Sequence, residues 1–267
     1  CVGVRMPSYG NKWFGSSGAG DFYGYQIANS VEFESDGADY MTRTPSTAGN
    51  RRTFTVSFWW KRTDVSHGGN HMVPFGADAN NSGSTVWNIR VRNTDRFQVG
   101  HSGGVEYIWS PMFRDTTGWG HYMIAEDTTL GTAGDRIKFY FNGTRITDTT
   151  SASAPSENYD TEVNNTTEHQ IGIMKYGSSS SDFAGLMAEF VLIDGTAYGP
   201  DSFGESKEGV WVPKDPSGLT FGTNGTYLKF QNASALGDDS SGNNNDYSVT
   251  NMATTKQSID SPTFSTD

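Results

Sequence analysis

The sequence predicts an all-β protein built as a sandwich or barrel, and two observations indicate this. The chain has 267 residues, of which 32 are glycine, 13% are aromatic and only 18% are charged. Aromatic residues and Thr favour strands, whereas Gly and Asn favour turns. Short segments of alternating apolar residues also follow one another between turn residues, without an amphipathic helical pattern. The length suits one large β domain or two small ones.

Residues 53–62 carry the clearest strand pattern. Apolar side chains alternate there with mostly polar ones, and we expect the apolar set to face the core. That set is Phe54, Val56, Phe58 and Trp60. Ile137, Phe139 and Phe141 alternate in the same way before Asn142-Gly143, which is a strong signal for a hairpin turn.

Further strand patterns occur along the whole chain. They cover residues 31–33, 39–41, 71–76, 85–92, 96–100, 105–109, 120–126, 144–147, 169–174, 186–193 and 227–230. Residues 148–167 are polar and contain Pro155, which predicts an exposed loop. The serine run at 178–181 predicts a flexible loop tip.

The two ends of the chain differ from the middle. Residues 1–28 are rich in glycine and aromatic residues but lack periodicity, so we expect an arm that packs on its own domain or on a neighbouring subunit. The prediction is an assembly arm (1–28), a sandwich (29–200), an extension that completes the sandwich (201–250) and an extended tail (251–267).

The net charge of −11 argues against nucleic-acid binding and against binding to acidic membrane surfaces. The longest strongly apolar run, residues 186–193, is too short to span a bilayer. With Cys1 as the single cysteine, an intrachain disulfide and a cysteine-based zinc site are excluded. A cysteine at position 1 also fits a lipid-anchored bacterial surface protein, which stays an alternative.

Four segments resemble strands of laminin-G-like, concanavalin A-like domains in order and spacing. They are FTVSFWWKR (54–62), GWGHYMIAED (118–127), RIKFYFNGTRI (136–146) and HQIGIM with FAGLMAEFVLIDG (169–174 and 183–195). The resemblance covers residues 29–200 and implies a two-sheet antiparallel jelly-roll sandwich of the lectin/glucanase superfamily.

A narrower resemblance covers most of the chain. Segments such as NNTTEHQIG, SFGESKEGVWVPKD, FGTNGTYLKF and GDDSSGNNNDYSVTNMATTKQSIDSPT are similar to proteins of tailed, often marine, bacteriophages. This implies a virion fibre, spike or decoration protein, exposed on the particle, that contacts copies of itself, other virion proteins and a host-surface glycan. A purely structural, self-assembling subunit is the alternative.

One departure from the family concerns strand order. The DSSGNNN stretch at 239–245 comes late in this chain, whereas in many laminin-G-like domains a similar stretch precedes the first core strand. This indicates a circularly permuted sandwich, or alternatively the start of a second, truncated domain.

Catalytic signals are weak. The carboxylates of residues 34–39 only partly match the Glu-x-Asp-x-x-Glu strand of glucanases with this fold, so a glycan depolymerase is a minor alternative. The histidines form no HExxH motif, and the sequence has no Walker motif. The stretch Gly100-His101-Ser102-Gly103-Gly104 has GxSxG spacing, but we interpret it as a hairpin turn. We therefore expect a protein without enzymatic activity.

Sugar binding requires an aromatic platform beside amides and acids. Tyr107 and Trp109 share one face of a predicted strand, and Trp87, Asn88 and Arg90 lie on another strand. These five residues are the candidate glycan site, with core packing as the alternative for the rings. We expect the remaining tryptophans considered, Trp59, Trp60, Trp119 and Trp211, to be core residues.

Calcium binding is the other candidate, because surplus carboxylates offer hard oxygen ligands. The loop with Asp238, Asp239 and Asp246 could hold Ca²⁺, although its spacing is not that of an EF-hand. Asp127 matches a family position that implies a second ion site. The alternative is that these side chains cap turns by binding nearby backbone N–H groups.

Overall fold

The computed structural model describes residues 22–35, 39–65, 71–79, 85–102, 104–176 and 179–264. These residues form two large antiparallel sheets that pack as a sandwich, which confirms the predicted fold class. Within these ranges, none of the helical turns has the length and apolar character needed to cross a bilayer.

The strands are numbered in chain order. They are β1 (Ser30–Phe33), β2 (Tyr40–Arg43), β3 (Thr53–Lys61), β4 (Met72–Asp78), β5 (Val86–Val91), β6 (Arg96–His101), β7 (Val105–Met112), β8 (Gly120–Asp127), β9 (Ile137–Phe141), β10 (Thr144–Ile146), β11 (Thr149–Ala152), β12 (Glu168–Ile171), β13 (Ile173–Tyr176), β14 (Ser179–Asp182), β15 (Gly185–Asp194), β16 (Gly204–Lys207), β17 (Val210–Pro213), β18 (Thr226–Leu228), β19 (Ser248–Thr250) and β20 (Gln257–Ser258).

Sheet A has the order β10-β9-β8-β3-β15-β1-β20, and β18 also pairs with β15. Sheet B has the order β11-β7-β6-β5-β4-β12-β2-β19. The hairpins β13–β14 and β16–β17 pair apart from both sheets. β3 and β15 are long strands at the centre of sheet A, and every position of β15 is buried.

The core lies between the sheets and contains the alternating set that the sequence predicts. Phe54, Val56, Phe58, Trp60, Ile137 and Phe139 are all buried there, while Phe141 is half-buried at its edge. The Asn142-Gly143 turn closes the β9–β10 hairpin with positive φ at both residues, 46° and 75°. This is the type I′ geometry that an Asn-Gly pair favours.

The outer face of sheet A is also covered. Thr55, Ser57 and Trp59 lie on this face of β3 and are buried. The chain after β15 crosses over them: Thr55 Oγ1 donates to the carbonyl of Thr196 at 2.8 Å, and the rings of Phe203, Phe221 and Tyr227 pack in one cluster on this side. A third layer therefore lies on sheet A.

Strands from the last part of the chain complete both sheets. β18 pairs with β15 and β20 with β1 in sheet A, whereas β19 pairs with β2 in sheet B. The two described ends also meet, because the backbone N–H of Ile27 donates to Thr263 Oγ1 at 2.9 Å. Residues 226–263 are thus integral to the same sandwich as residues 30–194.

Two loop predictions were wrong. Within residues 148–167, β11 pairs with β7, and Val163 is buried in the core. Thr161 is also buried, and its hydroxyl donates to the carbonyl of Arg51 at 2.7 Å. Within the serine run, Ser179–Asp182 forms β14, which pairs with β13. Strand pairing satisfies backbone polar groups in both places, so the polarity of the side chains did not mark these segments as loops.

The expected assembly arm falls mostly outside the described residues, which begin at Phe22. Its last part packs on sheet A, where Tyr25 and Ile27 contact a cluster with Trp59 and Ala188. The assembly role of residues 1–28 stays a prediction.

Candidate functional site

The sandwich buries the aromatic rings that the sequence suggested as a sugar platform. Trp109 is 1% exposed, with its ring centroid 4.9 Å from that of Phe139 and 5.2 Å from that of Tyr107. Trp87 is fully buried and donates its indole N–H to Glu126 Oε2 at 2.8 Å. This corrects the expectation for Tyr107, Trp109 and Trp87, because no ring face is left for a sugar.

Asn88 and Arg90 lie on the opposite face of β5 from Trp87, since side chains alternate along a strand. Asn88 is fully buried, pairing in register with Gly76 and Gly100 on the neighbouring strands, and Arg90 is half-buried. The structure therefore does not bring the five candidate residues together on one surface.

Two other tryptophans line an open surface. Trp119, Val210 and Trp211 are shared by two adjoining cavities of about 540 Å³ and 300 Å³. We call this surface the Trp groove. Asn142, Thr144 and Ser206 complete the larger cavity, whereas Tyr23, Thr117 and the 261–264 segment line the smaller one. Both tryptophans are half-buried, which corrects the expectation that they are core residues.

Trp119 is held by a buried ion pair. It lies just before β8, and its indole N–H donates to Asp260 Oδ1 at 2.9 Å. The other carboxylate oxygen of Asp260 accepts from Lys61 Nζ at 2.8 Å. Because Asp260 is buried and charge-paired, it fixes the orientation of the Trp119 ring.

Trp211 is held by a histidine and two glycines. Its indole N–H donates to His121 Nδ1 at 3.2 Å, and the two rings lie nearly parallel. A Cβ at Gly204 or Gly143 would lie 2.5 Å or less from atoms of the Trp211 ring, so only glycine permits this close approach. The β16–β17 hairpin thereby places Trp211 against the β9–β10 turn.

The Ser57–His121 pair beneath Trp211 is not an activated nucleophile. An indole N–H can only donate, so His121 Nδ1 accepts and Nε2 carries the proton. Nε2 therefore donates to Ser57 Oγ at 2.8 Å instead of removing its proton. Burial lowers the pKa of His121 to about 3, which keeps the ring neutral.

The Trp groove combines aromatic rings with hydroxyl and amide groups. Asn142 Oδ1 accepts the backbone N–H of His121 at 2.8 Å, which fixes the amide at the end of β9. Among the described residues lining the two cavities there is no Asp or Glu. Such a surface can stack a sugar ring and bind its hydroxyls, but it lacks the pair of carboxylates that glycoside hydrolysis needs.

The carboxylates suggested for calcium organise their own loops. Asp239 accepts four hydrogen bonds, three from backbone N–H groups and one from a hydroxyl: Tyr227 N (2.8 Å), Ser241 N (2.9 Å), Asn245 N (2.9 Å) and Ser241 Oγ (2.7 Å). Burial opposes ionisation here, but these bonds outweigh it and lower the pKa of Asp239. Asp246 accepts from the Asp239 N–H at 2.8 Å, and Asp238 from Asn232 at 3.2 Å.

Asp127 has a similar role. Its Oδ1 accepts from Thr129 N at 3.0 Å and Thr129 Oγ1 at 2.6 Å, and it lines a cavity of about 250 Å³ with Asp135 and Tyr140. Across the described ranges, no group of three or more His, Cys, Asp or Glu side chains is arranged to hold a metal ion. Calcium binding by Asp127, Asp238, Asp239 and Asp246 stays a prediction.

Sequence reasoning missed Trp119 and Trp211 because it assigned both rings to the core, where large aromatic side chains are most often found. The signal that could have found them is the glycine pattern: Gly118 and Gly120 flank Trp119, and Gly209 precedes Val210-Trp211. Such glycines mark turns, and turns place side chains at a surface.

A sequence model described as the concanavalin A-like lectin/glucanases superfamily matches residues 35–197. A search of curated protein sequences found no significant match.

Among solved structures, the chain is similar to the heptameric SAP-like pentraxin of Limulus polyphemus, with 15% identity over 65% of this chain and 79% of that one and a TM-score of 0.45. It is also similar to the receptor-binding domain of botulinum neurotoxin mosaic serotype C/D, with 16% identity over 66% and 41% and a TM-score of 0.43. A third similar structure is the Ruminococcus gnavus IT-sialidase CBM40 bound to α2,3-sialyllactose, with 11% identity over 62% of this chain and 88% of that one and a TM-score of 0.38. These similarities are distant and assign no ligand to this chain.

Proposed function

Because the chain belongs to the concanavalin A-like lectin/glucanases superfamily, we propose that it is a non-enzymatic carbohydrate-binding protein whose binding surface is the Trp groove. The observation that carries the proposal is the pair of half-buried indoles, each held by its N–H, in a groove lined by hydroxyl and amide groups. The CH face of a pyranose packs on an indole, and its hydroxyls need fixed donors and acceptors nearby.

Three observations support binding rather than hydrolysis. The described residues lining the groove provide no carboxylate pair, and the proton of His121 is on the nitrogen that faces Ser57. The carboxylates that resembled a glucanase motif are also engaged: Glu34 and Asp39 both bind Lys256 at 2.6 Å, while Asp36 lies outside the described residues.

The experiment is a binding assay against a panel of bacterial surface polysaccharides, with wild type, Trp119→Ala and Trp211→Ala. Single-site affinity should be weak, at about 1 mM, and loss of one ring should weaken it about tenfold, which corresponds to about 1.4 kcal/mol. Tyr40→Ala is the matched control, since Tyr40 is a half-buried aromatic residue on sheet B, under Lys175.

Circular dichroism confirms that each variant is folded. Equal binding by the tryptophan variants and wild type would place the site elsewhere. If the wild-type protein binds none of the polysaccharides, even when it is presented in multivalent form, a purely structural subunit would be favoured.

We also propose that this activity takes place at the surface of a bacteriophage particle, where the protein assembles with copies of itself and with other virion proteins. The sequence segments similar to phage proteins support this location. Two of them also contribute to the Trp groove, since 202–215 contains the β16–β17 hairpin and 237–263 ends in the 261–263 segment that lines the smaller cavity. Antibodies against the groove should label purified particles in electron microscopy and block their adsorption to host cells. Unlabelled particles would refute the location and leave the binding test unaffected.

A further inference from the structure

Three polar side chains meet on the outer face of sheet A, each from a different part of the chain. Glu189 lies in β15 and is 5% exposed, Tyr227 lies in β18 and is fully buried, and Tyr25 belongs to the N-terminal segment 22–28. The pairing of β15 with β3 shifts between Ala188 and Val191, and Glu189 there has φ of 51°. Side chains along β15 otherwise alternate between the two faces of sheet A, and this bulge directs the Glu189 side chain to the outer face.

The three groups contact each other pairwise. Tyr25 Oη lies 3.2 Å from Glu189 Oε1 and 2.8 Å from Tyr227 Oη. Tyr227 Oη also hydrogen-bonds Glu189 Oε2. The contacts form a closed triangle whose three sides are all at hydrogen-bond distance.

A count of protons distinguishes the two states of Glu189. Each side of the triangle needs one O–H donor. An ionised Glu189 leaves two donors, the tyrosine hydroxyls, for three sides. A protonated Glu189 supplies the third, so that Glu189 donates to Tyr25, Tyr25 to Tyr227 and Tyr227 back to the carboxyl group. A closed ring of three hydrogen bonds is therefore complete only with the neutral acid.

The charged groups around the triangle do not change this count. Lys229 lies over the Tyr227 ring with Nζ 5.0 Å from its centroid, and Lys214 donates to the carbonyl of Asp201. Asp215 caps the backbone N–H of Ser217, and His121, beyond Ser57, is neutral. Among the described residues, the hydrogen-bond partners of Glu189 are the two tyrosines.

We propose that Glu189, Tyr25 and Tyr227 form a proton-dependent latch that fastens the N-terminal segment 22–28 to sheet A and loosens when Glu189 loses its proton. Tyr25 is half-buried, so its departure would admit water to the carboxylate. Tyr23, two residues away, lines the Trp groove. The latch would thus also position one wall of the binding surface, a consequence that depends on the proposed function, whereas the latch itself does not.

The direction of the pH effect follows from linkage. Burial raises the pKa of Glu189 to about 7, although the tyrosine hydrogen bonds and Lys229 oppose the rise. In the open state the carboxyl group is hydrated and regains its ordinary value near 4.5. The closed state is therefore favoured fully below pH 4.5, and this preference is lost as the pH rises through 7. The opening equilibrium should increase up to about 300-fold across this range.

The test is amide hydrogen exchange of residues 22–28 in the whole protein between pH 5.5 and 8.5, corrected for intrinsic exchange rates. Protection in wild type should fall at least about tenfold as the pH rises, in line with the shift in opening. In Glu189→Gln it should stay high, because the amide N–H₂ replaces the acid O–H and does not titrate. In Tyr25→Phe it should be low throughout, and Tyr198→Phe, whose hydroxyl lies outside the triangle, is the control.

A pH-independent wild type, or the wild-type pH dependence in Glu189→Gln, would overturn the latch. Carboxyl ¹³C NMR of wild type provides a second measurement that does not depend on a variant folding. Titration of Glu189 near pH 7 supports the proposal, and titration near 4.5 refutes it. Neither measurement requires a glycan, so the outcome is independent of the binding test.

Discussion

Replacing Phe139 with alanine tests the central packing of the sandwich. Phe139 is fully buried in the middle of the core and belongs to β9. Its ring stacks on Phe97 with centroids 4.6 Å apart and planes 4° apart, and it contacts Trp109 from the side. The substitution removes both contacts and leaves a cavity between the sheets.

The expected loss in the free energy of unfolding is about 3–5 kcal/mol, which combines lost burial with the cost of the cavity. Aromatic pairing contributes about 0.5–1.5 kcal/mol of this for each lost pair. Since whole domains are stable by about 5–15 kcal/mol, the variant should be folded but marginal. At about 2–4 °C per kcal/mol, the melting temperature should fall by about 6–20 °C.

The assay is urea unfolding followed by tryptophan fluorescence and circular dichroism, with the m-value expected to stay constant. Phe264→Ala is the matched control, because that ring is 55% exposed and its loss should cost less than about 0.5 kcal/mol. A Phe139→Ala variant within about 1 kcal/mol of the Phe264→Ala variant would refute the packing described for sheets A and B.

Three further predictions concern ions, pH and truncation. Chelation with EDTA tests the predicted calcium site: a fall of several degrees in the melting temperature in calorimetry, reversed by Ca²⁺, would support it, whereas an unchanged melting temperature would show that the hydrogen bonds to Asp239 order its loop without an ion. Burial lowers the pKa of His169 to about 4 and that of His121 to about 3, whereas both side chains protonate near pH 6.5 in the unfolded chain. The stability that these two neutral histidines provide is therefore complete above pH 6.5 and is lost as the pH falls toward 4. Urea titrations should show a lower free energy of unfolding at pH 5 than at pH 7, and this difference should be smaller in His169→Gln than in wild type. An equal difference in the two proteins would contradict the prediction. Removing residues 201–267 should expose Trp59 and Val191 and cause aggregation, and a soluble, cooperatively melting fragment in light scattering and calorimetry would show that sheet A does not need its third layer.

Local patterns predicted the sheets well. The alternation in residues 53–62 and the Asn142-Gly143 turn correctly predicted a strand, its inward-facing side chains and a hairpin, because these features depend on neighbouring residues. The same alternation suggested a less buried second face for β3, yet Thr55 and Ser57 are buried there beside Trp59, the one residue of this face that we expected in the core. What buries them is a segment more than a hundred residues away, which short-range periodicity does not encode.

The candidate site was harder to predict for the same reason. Strand parity places Tyr107 and Trp109 on one face, but it does not say whether that face looks inward or outward. The chain buries both rings and instead exposes Trp119 and Trp211, whose positions depend on Asp260 and His121. Likewise, Glu189 lies between Ala188 and Phe190 in the sequence, and only the bulge and two distant tyrosines explain how its carboxyl group is accommodated.

The late strands have a consequence for how the molecule folds. Ile27 and Thr263 bond across 236 positions of the chain, and β1 and β2 complete their pairing with β20 and β19. Closing such long loops before their contacts form is slow, and unpaired edges stay exposed meanwhile. During synthesis, one edge of β1 and of β2 therefore stays unpaired until residues 248–258 have been made, so refolding should be slow and the yield should depend on protein concentration and on chaperones that shield these edges.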